Sequence, residues 1–265
     1  MGKTIKVGHW YNCGDLITIL PGLKHLYETQ GIMAEIYQKI DFPVSYYPEA
    51  RHPVKGGNDE HVSMNQEMFD MMWPLIKEQE YIESFSVWSG EPVDWDMKET
   101  RDRSFCPIPY SDIHYWPFYI FPEMACDLTG PWIDVATNHN FIDKIIINRT
   151  ERYNNPYINY GFLKKYEDQL LFAGTPEERT IFGNETGIFL PILEIRDFRD
   201  LAVRIQSCKL FIGNQSFCWH LADAMKVPRI LEVCKEFPNT LPTGANGYAF
   251  VYQEALEFYV DKLMQ

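Results

Sequence analysis

The stretch that most narrows the choice of fold runs from Cys208 to Val233. An apolar run, Leu210, Phe211 and Ile212, meets a Gly213-Asn214 turn. Ser216 then stands where a helix N-cap belongs, and Leu221, Ala222, Ala224 and Met225 fall at helical spacing. Val227 and Pro228 stop that helix, and Arg229 to Val233 resume as a short apolar strand. The segment is a strand-helix-strand unit. In such a unit the helix N-terminus emerges at the carboxyl edge of a parallel sheet, with free backbone N–H groups and the positive end of the dipole, which suits a phosphate or diphosphate. Ser216 also fits the plainer description of a residue that caps a buried helix.

The same alternation extends on both sides. Lys144 to Asn148 and Leu170 to Ala173 are apolar strands. Gly174 turns the chain, Thr175 serves as N-cap with Pro176 at the first helical position and Glu178 at the third, and Thr186 to Pro191 reads as a further strand. Phe198 to Ile205 is a helix leading into Cys208. The order from Lys144 to Val233 predicts a parallel sheet covered on both faces. Upstream, Lys3 to Gly8 is a strand and His9 to Gly14 a turn. From Asp15 an amphipathic helix carries Leu16, Ile17, Leu20, Leu23 and Leu26, with Pro21 inside it and Gly31 at its end. Ala34 to Gln38 is a strand, Gln66 to Glu78 a helix and Tyr81 to Trp88 a strand. Phe42 to Asn65, with Pro43, Pro48, Pro53 and Lys55-Gly56-Gly57-Asn58, is loop. Asn138 to Phe141 reads as a linker, Cys234 to Gly244 as a turn-rich loop at the cleft side, and Gln253 to Leu263 as a closing helix. The expected fold class is α/β: two Rossmann-like, doubly wound halves, residues 1–138 and 139–265, facing a cleft.

At 46% hydrophobic and 15% aromatic residues the 265-residue chain can bury a core of that size. A formal charge of −13 repels polyanions, so duplex nucleic acid and anionic lipid are poor partners. The cationic pair Arg149 and Arg152, directly after the strand at Lys144, stands out against that background and suits phosphate oxygens, or an interdomain salt bridge. The six cysteines show no Cys-x-x-Cys and no zinc-finger spacing, so free thiols in a reducing compartment are expected. No apolar run is long enough to span a membrane and no secretory leader is visible, which points to the cytoplasm. Asp94-Trp95-Asp96 could in principle hold a divalent metal, but with Lys98, Arg101 and Arg103 beside it the stretch describes a solvated mixed-charge surface. The aromatic run from Tyr110 to Trp132, which includes His114, suits a sugar or another ring-bearing acceptor, and equally a core seam between the halves, the commoner use.

Two of these motifs carry a resemblance. Gly213-Asn214-Gln215-Ser216, His220-Leu221-Ala222 and Val227-Pro228 resemble the donor-diphosphate motif of heptosyltransferase-like (family 9) glycosyltransferases of the two-domain GT-B fold, which show Gly-x-Asp-Ser/Thr-Gly, His-Leu-Ala and Gly-x-Pro. Gly14-Asp15, followed by Leu20-Pro21-Gly22-Leu23, looks like their first loop and helix. The sequence departs from the pattern at Gln215, where the family has Asp, and at Phe217, where it has Gly. The resemblance implies a glycosyltransferase that moves a hexosyl, heptosyl or pentosyl group from a nucleotide-sugar to an acceptor hydroxyl, without metal or other cofactor. By the same resemblance Asp15 is the catalytic base. His9, Tyr11 and Asn12 lie on the acceptor side. Arg149, Thr150, Arg152, Gly174, Thr175, Leu190, Asn214, Gln215, Ser216, Phe217 and His220 lie on the donor side. The chemistry is sound, since a carboxylate in a cleft can take the proton of an attacking hydroxyl. Asp15 equally suits the first turn of a helix. A nucleotide or nucleotide-sugar binding protein without catalysis, which Gln215 and Phe217 favour, and a transferase acting on modified bases in nucleic acid remain as alternatives.

Overall fold

The computed structural model describes residues 2–44, 54–56, 60–102 and 112–265. Among residues singled out by sequence, Pro48, Pro53, Gly57, Asn58, Arg103, Cys106 and Tyr110 lie outside the described residues.

The first half runs β1 (Lys3–His9), α1 (Cys13–Gln30), β2 (Ile32–Gln38), α2 (Gln66–Lys77), β3 (Ile82–Val87), β4 (Trp95–Asp96), α3 (Glu99–Asp102) and α4 (Trp116–Ile120). The second runs β5 (Ile145–Asn148), β6 (Leu170–Phe172), α5 (Pro176–Thr186), α6 (Phe198–Ser207), β7 (Leu210–Asn214), α7 (Phe217–Ala224), β8 (Arg229–Glu232), β9 (Gly247–Phe250) and α8 (Gln253–Met264). Two sheets result, with orders β3-β2-β1-β4 and β6-β5-β7-β8-β9, and every pairing is parallel. The strands are near-continuous apolar runs because both faces are covered: Ile145, Ile146 and Ile147 are each fully buried.

Helix α1 shows how sequence and packing agree. Leu16, Ile17, Leu20 and Leu23 are buried, each contributing about 1.5–3 kcal/mol by leaving water. Pro21 removes the N–H that would bond the Ile17 carbonyl, and Trp132 Nε1 donates to that carbonyl instead at 3.2 Å. The proline is thereby absorbed without ending the helix.

Two expectations fail in the second half. Thr186 to Pro191 is not a strand: α5 runs through Thr186, and Gly187 adopts φ 73°, where a residue with a Cβ would be strained. Only Ile192 pairs, in a parallel bridge to Phe172 on the outer edge of β6. Counting that bridge as a vestigial edge strand, the order becomes 3-2-1-4-5-6, the doubly wound order of dinucleotide-binding domains. Conversely, β9 is a strand that the sequence pattern does not mark; it adds the far edge through Tyr248 and Ala249 beside Ile230 and Leu231.

The halves share their core. α1 packs on α7 and α2 on α6, and one apolar cluster runs from Val7 and Ile36 in the first sheet to Phe211 and Leu231 in the second. Trp132 N–H donates to the Ala224 carbonyl at 2.9 Å, and Arg199 Nη2 to Glu78 at 2.6 Å, both across the junction. His139–Phe141, where the linker was expected, is a short 3-10 turn.

Candidate active site

The carboxyl ends of the strands face a cavity of about 660 Å³. One wall is the start of α1 (Asn12 to Asp15) with Arg101, Ile113 and Trp116. The other is built from the turns after β5, β6 and β7: Asn148, Thr150 and Arg152; Gly174, Thr175 and Glu178; Gln215 to Cys218 with His220. In an open parallel sheet these are the turns at which ligands bind.

Asp15 is the third residue of α1. Its Oδ2 accepts the Asn12 N–H at 3.3 Å and its Oδ1 is ion-paired with Arg101. The Arg101 guanidinium also lies 4.4 Å from the Tyr11 ring centre and 5.7 Å from that of Trp116. Burial pushes the Asp15 carboxyl up, but Arg101, aided by His9 and His220, more than offsets this and holds it below the ordinary range.

Opposite stands the start of α7. Ser216 Oγ accepts the Trp219 N–H at 3.2 Å and donates to Asn148 Oδ1 at 2.5 Å, while Asn148 Nδ2 donates to the Ala173 carbonyl at 2.6 Å. The Ser216 hydroxyl and the Asn148 amide thus tie together the ends of three strands. The Ser216 carbonyl takes the His220 N–H at 3.1 Å. The N–H groups of Phe217 and Cys218 are the ones an α-helix leaves without an intrahelical acceptor, and both residues line the cavity. The two walls meet closely at Gly14: a Cβ there would lie 3.0 Å from His220 Cδ2 and 3.7 Å from Phe217 Cα.

Several residues assigned to the ligand from sequence are placed otherwise. Arg149 does not line the cavity. It is 7% exposed, with Nε 2.9 Å from Glu232, a second ion pair to Glu185, and Nη2 donating to the Asn155 carbonyl at 3.0 Å. Asn214 is fully buried behind Thr150, accepting its N–H at 3.0 Å and donating to its carbonyl at 2.8 Å. Gln215 reaches the cavity wall, yet both ends of its amide are engaged by the following loop. Oε1 accepts the Cys234 N–H at 2.8 Å, and Nε2 donates to the Phe237 carbonyl at 2.8 Å and to Asn239 at 2.6 Å. Leu190 is buried outside the cavity because α5 runs on where a strand was expected; Leu193 and Ile195 take the lining position. On the first-half side, Asn12 lines the main cavity. His9 and Tyr11 instead border a recess of about 20 Å³ behind Asp15. His9 Nδ1 lies 2.7 Å from Gln38 Oε1, and burial lowers its pKa to about 4. Burial likewise raises the Tyr11 hydroxyl to about 12.

Trp116 lines the cavity from within the aromatic run that suits a ring-bearing acceptor, whereas Arg101, Asn148 and Glu178 line it without a sequence pattern that marks them as cleft residues. Glu178 does cap α5 as its position predicts, accepting the Thr175 N–H at 2.9 Å, but it also faces the cavity, and burial raises its carboxyl pKa. The Asp94 and Asp96 carboxylates are occupied, by Lys6 N–H at 2.9 Å and by Trp10 Nε1 at 2.6 Å. Among the described residues no group of three or more His, Cys, Asp or Glu side chains is arranged to hold a metal ion, and no helix is long and apolar enough to cross a membrane.

Two parallel α/β sheets whose carboxyl edges close on one cleft, with a carboxylate on one wall and a helix N-terminus on the other, define the GT-B class of architecture. The chain shares that fold with a family 9 glycosyltransferase of Veillonella parvula at TM-score 0.55 and 13% identity, covering 98% of this chain and 89% of that one. ADP-heptose LPS heptosyltransferase II of E. coli matches at TM-score 0.56 and 11% identity, covering 99% and 98%. E. coli heptosyltransferase WaaC with ADP matches at TM-score 0.56 and 10% identity, covering 98% and 99%. No family model and no curated protein sequence matches the chain. At these identities the likeness establishes the fold.

Proposed function

We propose that the protein is a glycosyltransferase that passes a sugar from a nucleoside diphosphate donor to an acceptor hydroxyl by direct displacement. The reading is carried by the placement of the Asp15 carboxylate and the first N–H groups of α7 on opposite walls of one cavity. The acceptor oxygen attacks the anomeric carbon, Asp15 takes its proton, and the carbon–oxygen bond to the diphosphate breaks with the electron pair leaving on the phosphate. The helix end and Arg152 receive that charge, with no metal in the step. The WaaC structure with ADP makes adenosine diphosphate sugars the first donors to test. Incubation with a panel of nucleotide-sugars should release free nucleoside diphosphate slowly, as sugar leaks to water. A rise in melting temperature with a donor and no release would instead identify a binding protein, the reading that the Asp15–Arg101 pair and the engaged Gln215 amide favour.

Two substitutions test the charge arrangement. Arg152→Ala should weaken donor binding by roughly tenfold to a hundredfold, the loss of a charge-assisted contact worth about 1.5–3 kcal/mol, read as donor KM or by calorimetry with the nucleoside diphosphate. Arg101→Ala removes the group that opposes burial at Asp15. The carboxyl pKa then rises, more of it is protonated at mildly acidic pH, and the acid limb of the kcat/KM profile moves to higher pH. An unmoved limb would take Arg101 out of the catalytic electrostatics.

A further inference from the structure

The proposed chemistry touches His220 only at its cleft edge and leaves its buried neighbour without a task. His114, in the turn Ile113–Tyr115, is fully buried, and its ring centre lies 5.2 Å from that of His220 at an interplanar angle of 65°. Each ring keeps one buried nitrogen without a partner, Nε2 of His114 and Nδ1 of His220. Two unmet polar atoms on adjacent buried rings call for an explanation. The rest of the arrangement supplies one. His114 Nδ1 lies 2.6 Å from Asp112 Oδ1, an acceptor when ionised, which in the neutral ring draws the His114 proton to Nδ1 and leaves Nε2 as a lone pair. The Cδ2–Nε2 edge of His220 is the one turned toward Gly14, so its Nδ1 lies on the opposite side of the ring.

We propose that Asp112 and His114 are positioning residues that set the tautomer of His220: the lone pair of His114 Nε2 favours a proton on His220 Nδ1, leaving His220 Nε2 as a bare acceptor toward the cleft. With the proton on Nε2 instead, each of the two adjacent rings would bury an unmet nitrogen lone pair. One bridging water satisfies the favoured arrangement. Burial holds His220 down to about 4 against the pull of Asp15, Asp112 and Asp223, so the ring is neutral near pH 7 and the tautomer is the relevant variable. An acceptor at Nε2 takes a hydrogen bond from a sugar or acceptor hydroxyl, and would repel a phosphate oxygen. That division of labour, hydroxyl to His220 and diphosphate to the start of α7, rests on the transferase reading; the tautomer does not.

The test is two-bond 1H–15N NMR on the full chain labelled at histidine, assigned through His220→Asn. The expected result is a His220 ring protonated at Nδ1 in the unchanged protein, shifting to the Nε2-protonated form in His114→Phe, and in the same direction in Asp112→Ala, which removes the acceptor of His114 Nδ1, should the first variant fail to fold. Nε2 protonation in the unchanged protein, or a tautomer indifferent to both substitutions, overturns the proposal. Kinetics separate the two readings. With a working transferase, His114→Phe lowers kcat more than it raises donor KM. A tautomer shift in a protein that turns over no donor removes the transferase reading and leaves the positioning role standing.

Discussion

Replacing Asp15 by Asn is expected to lower turnover by about 10²- to 10⁴-fold, the usual contribution of a positioned general base, while donor KM stays near its starting value. Asn preserves the shape and can still accept the Asn12 N–H that closes the first turn of α1. What it loses besides basicity is the pair with Arg101, whose side chain is 39% exposed. A partly solvated pair of this kind is worth about 0–1 kcal/mol, so melting temperature should hardly change. Turnover within a few fold of the unchanged protein would show that another group takes the proton.

The largest effect on stability is expected at Glu232. This fully buried carboxylate accepts from Arg149 Nε at 2.9 Å and Nη2 at 3.2 Å, from Tyr160 hydroxyl at 2.7 Å and from the Asn155 N–H. It fastens the chain that follows β5 to the end of β8. Glu232→Ala removes the buried partner of Arg149 and leaves it only the half-exposed Glu185, at a cost of up to about 3–5 kcal/mol, visible as a large fall in the urea midpoint. Arg149→Met should likewise destabilise, by leaving the carboxylate alone, and donor affinity measured on the folded fraction should be kept. An Arg149→Met protein of normal stability but weakened donor binding would restore the phosphate role that the sequence assigns to this arginine.

What could be read in advance follows from how local each signal is. The unit around β7 and α7 is written in adjacent residues: an apolar run, Gly213, the Ser216 cap and the stop at Pro228, and it forms as read except that Gly213 and Asn214 continue β7 and the chain bends at Gln215 and Ser216. The capping box of Thr175 and Glu178 is equally local and equally present. β9 escaped notice because it is a four-residue edge strand with one buried side chain, too short for a pattern to show. The false strand at Thr186 has a local cause that pattern does not reveal, the Thr186 hydroxyl folding back to the Phe182 carbonyl at 2.7 Å as the helix runs on. In the site, distance defeats the reading. Arg149 and Arg152 look alike in sequence, and what separates them is Glu232, 83 positions downstream of Arg149. Arg101 reads as solvated surface until the fold brings it onto Asp15 across 86 positions.

The shared helical layer has a consequence for how a ligand would be handled. Because α1 rests directly on α7, with Gly14 closely packed against His220, the Asp15 carboxylate and the start of α7 are set on one packed pair of helices before anything arrives. Little free energy then goes into swinging one lobe against the other, and more remains for holding the reacting atoms in line. Variation between ligands would then be met at the rim, in the loop from Cys234 to Asn239 that Gln215 fastens.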